Sequence, residues 1–180
     1  RKINSVDART CDLIIATASD DSSIKIWDLV VGSQGVEQVV RVTLLTTIRT
    51  HVGAVNSVKF DPDMDRVRFV SGSSDKTAML WEMSNNGRDF NRVKTLSGHG
   101  GAVNSVTYAT IGITFRSGSQ TFNSLIATGS ADGTAKIWSG DDGSFLKTLN
   151  GHPGAVISVS FSPDPSSVIL VTGCVDAKLR

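Results

Sequence analysis

Apolar and polar residues alternate in short stretches along the whole chain. Ile24 and Ile26 flank one lysine, and Ala135 and Ile137 flank another. Such alternation predicts strands with one buried face, and the Gly, Asp, Asn and Ser residues between the stretches favour turns. No segment keeps a helical period over a useful length. The pattern therefore predicts an all-β chain of short strands joined by hairpins.

The expected strands fall into four sets. The first two sets lie at about 3–8, 13–18, 23–28 and 42–48, and at about 54–60, 67–72, 77–82 and 91–96. The next two lie at about 102–108, 123–129, 134–138 and 144–149, and at about 155–161 and 167–173, with a further strand beginning at about 177. Three longer stretches, 31–41, 84–91 and 109–123, are predicted as loops. Long loops on a rigid frame often bind partners, although surface decoration explains them equally well.

The same local sequence recurs along the chain. The string GAVNSV occupies 53–58 and 101–106, GAVISV occupies 154–159, and a shorter copy, INSV, begins at Ile3. Each copy leads to a strand of small residues and a turn with Asp. After the copies at 3, 53 and 101, the next strand reaches Trp27, Trp81 or Trp138, whereas the sequence after the copy at 154 stops at Arg180. An all-β repeat of roughly 40 to 55 residues, with four strands per repeat, predicts a β-propeller.

Specific dipeptides give these repeats a family resemblance. Gly98-His99, Gly151-His152, the Thr50-His51 variant and the Trp27-Asp28 ending resemble WD repeats. The resemblance covers almost the whole chain and implies a WD-repeat β-propeller. Two repeats depart from the pattern after the tryptophan, where they carry Glu82 and Ser139 instead of Asp.

The resemblance also sets the expected domain organisation. One partial propeller spans 1–180, with blade 1 at about 1–48, blade 2 at about 49–97, blade 3 at about 98–150 and an incomplete blade 4 at about 151–180. Propellers of this family usually have seven blades. Because four incomplete blades would leave open sheet edges, we expect the chain to be a fragment, or the ordered part, of a longer protein.

The family resemblance implies a buried chain of hydrogen bonds in each blade, from Trp to Ser or Thr, then to His, then to Asp. The indole N–H needs an acceptor when it is buried, and a network in which every polar group is satisfied stabilises the fold. The residues at these positions are Thr17, Asp21, Trp27, His51, Ser71, Asp75, Trp81, His99, Thr128, Asp132, Trp138, His152, Thr172 and Asp176.

Two catalytic alternatives use the same side chains. Ser, His and Asp together could form a hydrolase triad, but a nucleophile must be exposed and singular, whereas this set recurs in every blade and no G-x-S-x-G motif is present. His51, His99 and His152 could each bind a metal, but none has a second His or Cys near it in sequence. Structural roles are therefore favoured, and no catalytic residue, metal or cofactor is expected.

Composition narrows the class of protein further. The 180 residues are 39% hydrophobic and 19% charged, with a net charge of +1, which argues against a nucleic-acid-coating surface without excluding a local basic patch. Six basic residues could form such a patch, although a solvated face is favoured: Arg66, Arg68, Lys76, Arg88, Arg92 and Lys94. Cys11 and Cys174 make no disulfide framework, and no apolar run approaches a membrane span. An intracellular protein, cytoplasmic or nuclear or both, is expected.

The expected function is a non-enzymatic interaction scaffold in a multi-subunit assembly, whose partners are other proteins. An alternative is a module that reads a peptide or a modified residue on the top face, where Asp20, Ser74, Ala131 and Val175 precede the turn Asp positions. These four are small and mixed, and they form neither an arginine cage nor an aromatic cage. The segments 70–82, 125–139 and 169–180 are similar to the first propeller of the second Elongator subunit, which implies an assembly that modifies transfer RNA.

Overall fold

The structure, a computed structural model, describes residues 2–9, 13–34, 37–63, 65–117, 120–162 and 168–175. The strand expected from about residue 177, together with Asp176 and Cys11, lies outside these residues. No helix in the described part of the chain is long and apolar enough to cross a membrane.

Fourteen strands form within the described residues, and the all-β prediction is confirmed. The first eight are β1 (Ile3–Arg9), β2 (Ile14–Ser19), β3 (Ile24–Gln34), β4 (Glu37–Ile48), β5 (Val55–Phe60), β6 (Arg68–Ser73), β7 (Ala78–Met83) and β8 (Phe90–Leu96). The other six are β9 (Val103–Ser117), β10 (Gln120–Ser130), β11 (Ala135–Ser139), β12 (Phe145–Leu149), β13 (Val156–Phe161) and β14 (Leu170–Cys174).

The strands build antiparallel sheets whose order follows the chain. Sheet 1 contains β1 to β4, sheet 2 contains β5 to β8, sheet 3 contains β9 to β12, and sheet 4 contains β13 and β14. The first strands of consecutive sheets lie side by side, β1 against β5, β5 against β9 and β9 against β13. This succession of sheets, each presenting its first strand to the next, is the blade arrangement of a β-propeller.

Apolar side chains are buried mainly between the sheets. One cluster joins sheets 1 and 2, a second joins sheets 2 and 3, and a third joins sheets 3 and 4. In the first cluster, the ring of Phe69 lies 5.8 Å from that of Phe60, 5.9 Å from that of Trp81 and 5.1 Å from that of Phe90. Because strand side chains alternate between two faces, each sheet contributes one face to the cluster on either side of it.

Two of the three predicted loops form strands throughout their described residues, so those predictions were wrong, while 35–36 and 118–119 lie outside the described residues. β3 continues to Gln34 and β4 already begins at Glu37, so that Val30 pairs with Arg41. β9 continues to Ser117 and β10 begins at Gln120, with Phe122 paired to Phe115. In both cases the two halves of the insertion satisfy their backbone groups by pairing with each other, which extends the hairpin beyond the usual strand length.

The third predicted loop is a turn between β7 and β8. Gly87 has a φ of 68°, which glycine adopts at little cost. The carbonyl oxygen of the Asn86 side chain accepts hydrogen bonds from the backbone N–H groups of Arg88 and Asp89, at 2.9 and 3.1 Å. The Asn-Gly signal in the sequence therefore marked a real turn, although β8 begins slightly earlier than expected, at Phe90.

Candidate functional site

Sheet 2 brings all four of its predicted network residues together. The indole Nε1 of Trp81 donates to the hydroxyl oxygen of Ser71 at 2.9 Å, and His51 Nε2 lies 2.8 Å from that same oxygen. His51 Nδ1 lies 2.7 Å from a carboxylate oxygen of Asp75. Ser71 is on β6 and Trp81 on β7, while Asp75 lies in the turn between these strands and His51 precedes β5.

Sheet 3 repeats this geometry with threonine in place of serine. Trp138 Nε1 donates to the hydroxyl oxygen of Thr128 at 3.0 Å, and His99 Nε2 lies 2.8 Å from it. His99 Nδ1 lies 2.9 Å from a carboxylate oxygen of Asp132. The distances are nearly identical although His51 lies 20 residues before Ser71 and His99 lies 29 residues before Thr128. The two blades share the spacing of the hydroxyl, Asp and Trp positions, which lie within one hairpin.

Sheets 1 and 4 contain shorter versions among the described residues. Trp27 Nε1 donates to the Thr17 hydroxyl oxygen at 3.2 Å, and an open cavity of about 430 Å³ lies beside them. The Asp21 carboxylate accepts the backbone N–H of Ser23 at 3.0 Å and also the Ser23 hydroxyl. In sheet 4, His152 Nε2 lies 2.8 Å from the Thr172 hydroxyl oxygen.

The turn aspartates are anchored by several donors, which fixes the charge state of each network. Asp75 accepts the backbone N–H of Val52 at 3.1 Å and both the N–H and the hydroxyl of Thr77, at 2.9 and 2.6 Å. Burial alone would raise the pKa of Asp75, but the hydrogen bonds from Thr77 and His51 outweigh it and lower that pKa. The pKa of Asp132 is lowered for the same reasons, and the bonds from Ser23 lower the pKa of Asp21 to about 2.

His51 and His99, in the two complete networks, are neutral at pH 7. Burial lowers the pKa of His51 and of His99, and the neighbouring carboxylates offset this effect only in part. Nδ1 therefore carries the single ring proton and donates it to the carboxylate, while Nε2 accepts the hydroxyl proton of Ser71 or Thr128. The short contacts between His and Asp are hydrogen bonds that a neutral ring donates to a carboxylate.

This geometry is unsuited to nucleophilic catalysis. Ser71 and Thr128 are 0% exposed, and each hydroxyl already accepts the indole N–H and donates to imidazole. A substrate carbonyl has no approach to such an oxygen, and the bonds hold its lone pairs and its proton away from solvent. Within the described residues, no group of three or more metal-ligating side chains forms either.

A second set of polar residues, which the sequence reasoning missed, joins neighbouring blades. The side-chain amides of Asn4, Asn56 and Asn104 donate across the junction to backbone carbonyls of the following sheet, at 3.0, 2.9 and 3.0 Å. These residues belong to the repeated INSV and VNSV strings. In the sequence these strings mark the repeat, and an asparagine at the same place in three first strands was the signal of this role.

The serine beside each asparagine makes the matching bond. The backbone N–H of Val58 donates to the Ser5 hydroxyl oxygen at 3.3 Å, and Val106 and Val159 donate to Ser57 and Ser105 at 3.2 Å. Each junction inside the chain thus carries the same pair of bonds, one from the asparagine amide and one to the serine hydroxyl. These hydrogen bonds help to fix the angle between consecutive blades.

Arg68 also joins two blades, which corrects the suggestion that it belongs to a basic surface patch. The side chain is buried, and Nε donates to Glu82 at 3.0 Å while Nη1 donates to the backbone carbonyl of Asp141 at 2.9 Å. The hydroxyl of Tyr108 donates to the neighbouring Gly140 carbonyl at 2.6 Å. Glu82, which replaces the expected Asp after Trp81, therefore has a specific partner.

Four exposed residues occupy one equivalent backbone position. The backbone N–H groups of Asp20, Ser74, Ala131 and Val175 donate to carbonyls just before the first strand of their own blade, at 3.1, 2.9, 2.8 and 3.1 Å. Their side chains are acidic, hydroxyl, methyl and isopropyl respectively, and all four are exposed. The same frame therefore presents a different chemical group in each blade.

Known proteins resemble the chain in sequence and in structure. "Nuclear distribution protein PAC1" of Arthroderma benhamiae is 36% identical over 171 residues, which cover 95% of this chain and 33% of that protein. "Nuclear distribution protein nudF" of Aspergillus niger is 30% identical over 159 residues, which cover 88% and 30%. The chain thus spans about a third of the length of these curated relatives.

A solved structure agrees with the fold. The crystal structure of the computationally designed Ika4 protein superposes with a TM-score of 0.68 at 24% identity, covering 99% of this chain and 89% of that chain. The family described as "WD domain, G-beta repeat" matches residues 1–28, 42–82, 90–139 and 143–180. These segments make up most of the sequence, and the chain belongs to the WD40 repeat family.

Proposed function

We propose that the chain is a non-catalytic scaffold that holds partner proteins together in a multi-subunit assembly. The observation that carries this proposal is the set of four exposed positions, Asp20, Ser74, Ala131 and Val175, which share one backbone geometry but differ in side chain. A rigid frame with variable exposed groups suits recognition of protein surfaces, because little conformational entropy is lost on binding.

The buried networks support the rigidity that this function needs. Each complete network ties the segment before a first strand to the turn between the second and third strands, as His51 and Asp75 do in sheet 2. The loops that carry Ser74 and Ala131 are therefore tied to their blades by these bonds. We propose that the fourteen network residues named from the sequence, including Asp176, serve this structural role.

The named relatives favour one setting for the assembly. PAC1 and nudF are both named nuclear distribution proteins, and we therefore propose an intracellular assembly of that kind, in the cytoplasm or nucleus. The Elongator-type assembly remains a narrower proposal that rests on sequence motifs alone, and neither relative named above is an Elongator subunit. We propose other protein subunits as the partners, without direct contact to a membrane or to nucleic acid.

Affinity capture with matched variants tests this proposal. Ala131→Arg and Val175→Arg each place a long cation at an exposed position, and Asn91→Arg places the same cation at an exposed position of β8. We expect the wild-type chain and the Asn91 variant to retain a stoichiometric set of proteins that the other two variants lose, with all variants equally folded by circular dichroism.

The identity of the captured proteins decides between the settings. Elongator subunits in the set would support the narrower proposal, and nuclear-distribution partners would support the setting that the relatives suggest. Capture of the same proteins by all four chains would contradict the use of the exposed positions. Recovery of a short peptide ligand alone would favour the peptide-reading alternative over the scaffold.

A further inference from the structure

Three equivalent asparagines differ in what they bind at the top of their blades. Each side-chain amide uses one N–H on a carbonyl of the following sheet, so the second N–H of each Nδ2 remains for another partner. In sheet 1 that partner is Asp20, whose carboxylate oxygen lies 2.6 Å from Asn4 Nδ2. In sheet 2 it is the hydroxyl of Ser74, which lies 3.1 Å from Asn56 Nδ2. The exposed residue of each of these blades therefore completes the bonding of its asparagine.

Sheet 3 lacks this second bond. Ala131 occupies the place of Asp20 and Ser74, and its methyl group accepts no hydrogen bond. Within the described residues, the Asn104 amide makes a single bond, to the Val156 carbonyl at 3.0 Å. Asn104 is half-buried, and Ala131 beside it is exposed. One N–H and the amide oxygen Oδ1 of Asn104 are thus left for another molecule.

The backbone beside Asn104 is also uncovered. Gly100 is exposed at the place where sheet 2 carries Val52, a side chain that is 92% exposed. A Cβ added to Gly100 would lie 3.6 Å from the nearest atom, Asp132 Cβ, which is an ordinary contact, and Gly100 has no positive φ. The fold itself therefore does not require glycine here. With no side chain at 100 and only a methyl group on Ala131, another main chain can approach the amide closely.

The free groups of Asn104 match a peptide backbone. A carboxamide offers a donor and an acceptor side by side. In an extended chain, the N–H and the C=O of one residue point to the same side, which is how antiparallel strands exchange two bonds between one pair of residues. The Asn104 N–H can therefore donate to the carbonyl of an extended residue while Oδ1 accepts the N–H of that residue. A carboxylate would satisfy only the donor, and an ammonium group only the acceptor.

We propose that Asn104 binds the main chain of an extended segment of a partner protein through this pair of hydrogen bonds, with the segment lying over Gly100 and Ala131. The inference rests on the proposed use of the top face and adds the chemistry of the partner at blade 3, a peptide backbone. Ala131→Ser would give Asn104 the bond that sheet 2 contains. A polar group left unpaired where a neighbouring blade satisfies it is typical of a functional site.

Peptides from the captured proteins are the probe for this proposal. Overlapping short peptides with acetylated and amidated ends, covering the proteins that mass spectrometry identifies in the affinity capture, are titrated with the chain by fluorescence anisotropy. We expect at least one peptide to bind the wild type and to bind Asn104→Ala about tenfold more weakly, the effect of one to two ordinary hydrogen bonds. Asn56→Ala is the matched control. It loses the same kind of junction bond, but its second partner lies within the chain, so it should bind the peptide like the wild type.

Substitution of Ala131 tests the free amide without removing it. Ala131→Ser should raise the urea midpoint and weaken peptide binding about fivefold, because the new hydroxyl engages the second N–H of Asn104. Ala131→Gly leaves that N–H free and should bind like the wild type. Circular dichroism of each variant shows whether it is folded.

A scan of the peptide backbone makes the test specific. Each backbone N–H of the bound peptide is replaced in turn by an ester oxygen, which removes one donor and leaves the side chains unchanged. One position should weaken binding to the wild type about fivefold and have no effect on binding to Asn104→Ala, because the bond it removes is already absent there.

The outcomes separate this inference from the proposed function. If Ala131→Arg abolishes peptide binding while Asn104→Ala and Asn56→Ala bind equally well, the partner uses the top face and the inference about Asn104 is wrong. No binding by any short peptide, or an ester scan with the same effect on Asn104→Ala as on the wild type, would also overturn it. Peptide binding that Ala131→Arg leaves intact would contradict the proposed use of the top face itself.

Discussion

Removing one hydroxyl should have very different effects in two blades, and the comparison measures the energy of the buried network. Thr128→Ala leaves two buried groups without a partner, the indole N–H of Trp138 and Nε2 of His99. A buried polar group that loses its only partner costs about 1 to 3 kcal/mol. The two groups together cost about 2 to 6 kcal/mol and the lost methyl group about 1 more, so we expect Thr128→Ala to lower the free energy of unfolding by about 3 to 7 kcal/mol.

Thr17→Ala is the matched control, because it is the same substitution at the equivalent position of sheet 1. The Thr17 hydroxyl accepts the Trp27 N–H at 3.2 Å and, within the described residues, donates to the Lys25 carbonyl at 3.4 Å. The open cavity beside it admits water, which can replace the lost acceptor. We therefore expect Thr17→Ala to cost less than about 1.5 kcal/mol.

Urea unfolding followed by far-ultraviolet circular dichroism gives both values from the midpoints and slopes. The reasoning predicts a midpoint for Thr128→Ala well below that of Thr17→Ala, with the same slope. Equal midpoints for the two variants would refute it, because the buried histidine would then contribute nothing. A Thr128→Ala loss below about 1 kcal/mol would refute it as well.

Three further predictions concern charge and the blade junctions. Because folding lowers the pKa values of His51 and His99, their contribution to the free energy of unfolding should be at its full value above about pH 6.5. It should fall by up to about 1.4 kcal/mol per pH unit for each histidine as the pH drops towards the folded pKa values. Urea midpoints that do not change between pH 7.5 and 5 would contradict this. Arg68→Met should cost about 1 to 3 kcal/mol, since it removes the bonds to the Asp141 carbonyl and to Glu82, whereas Arg88→Met at an exposed position should be neutral within about 0.5 kcal/mol in the same assay. Asn104→Ala should cost about 1 kcal/mol and increase amide hydrogen exchange in β9 and β13, and unchanged exchange there would argue against a junction role.

Much of the architecture could be predicted because the repeat carries it locally. The spacing from Ser71 to Asp75 to Trp81 lies within one hairpin, so the sequence alone places these residues on adjacent strands and the turn between them. The starts of the first strands were predicted to within one residue, because the repeated string marks each of them, whereas β9 continues to Ser117, well beyond its predicted end. The prediction of an all-β propeller followed from these short-range signals.

The features that could not be predicted depend on contacts between distant parts of the chain. Arg68 is buried because it contacts the backbone of residue 141, which lies 73 positions away. No residue near Arg68 in the sequence indicates that contact. The insertions at 31–41 and 109–123 became strands because their two halves pair with each other, which turn composition alone does not reveal. The roles of Asn56 and Ser57 required the neighbouring blade to be in place.

Hydrogen–deuterium exchange of the chain with and without its captured partner proteins tests the central claim most directly, because it shows which surface the partners cover. The scaffold account predicts slower exchange at the turns that carry Ser74, Ala131 and Val175, and unchanged exchange in the outer strands β8 and β12. Slower exchange confined to those outer strands, or no change anywhere in the chain, would contradict it.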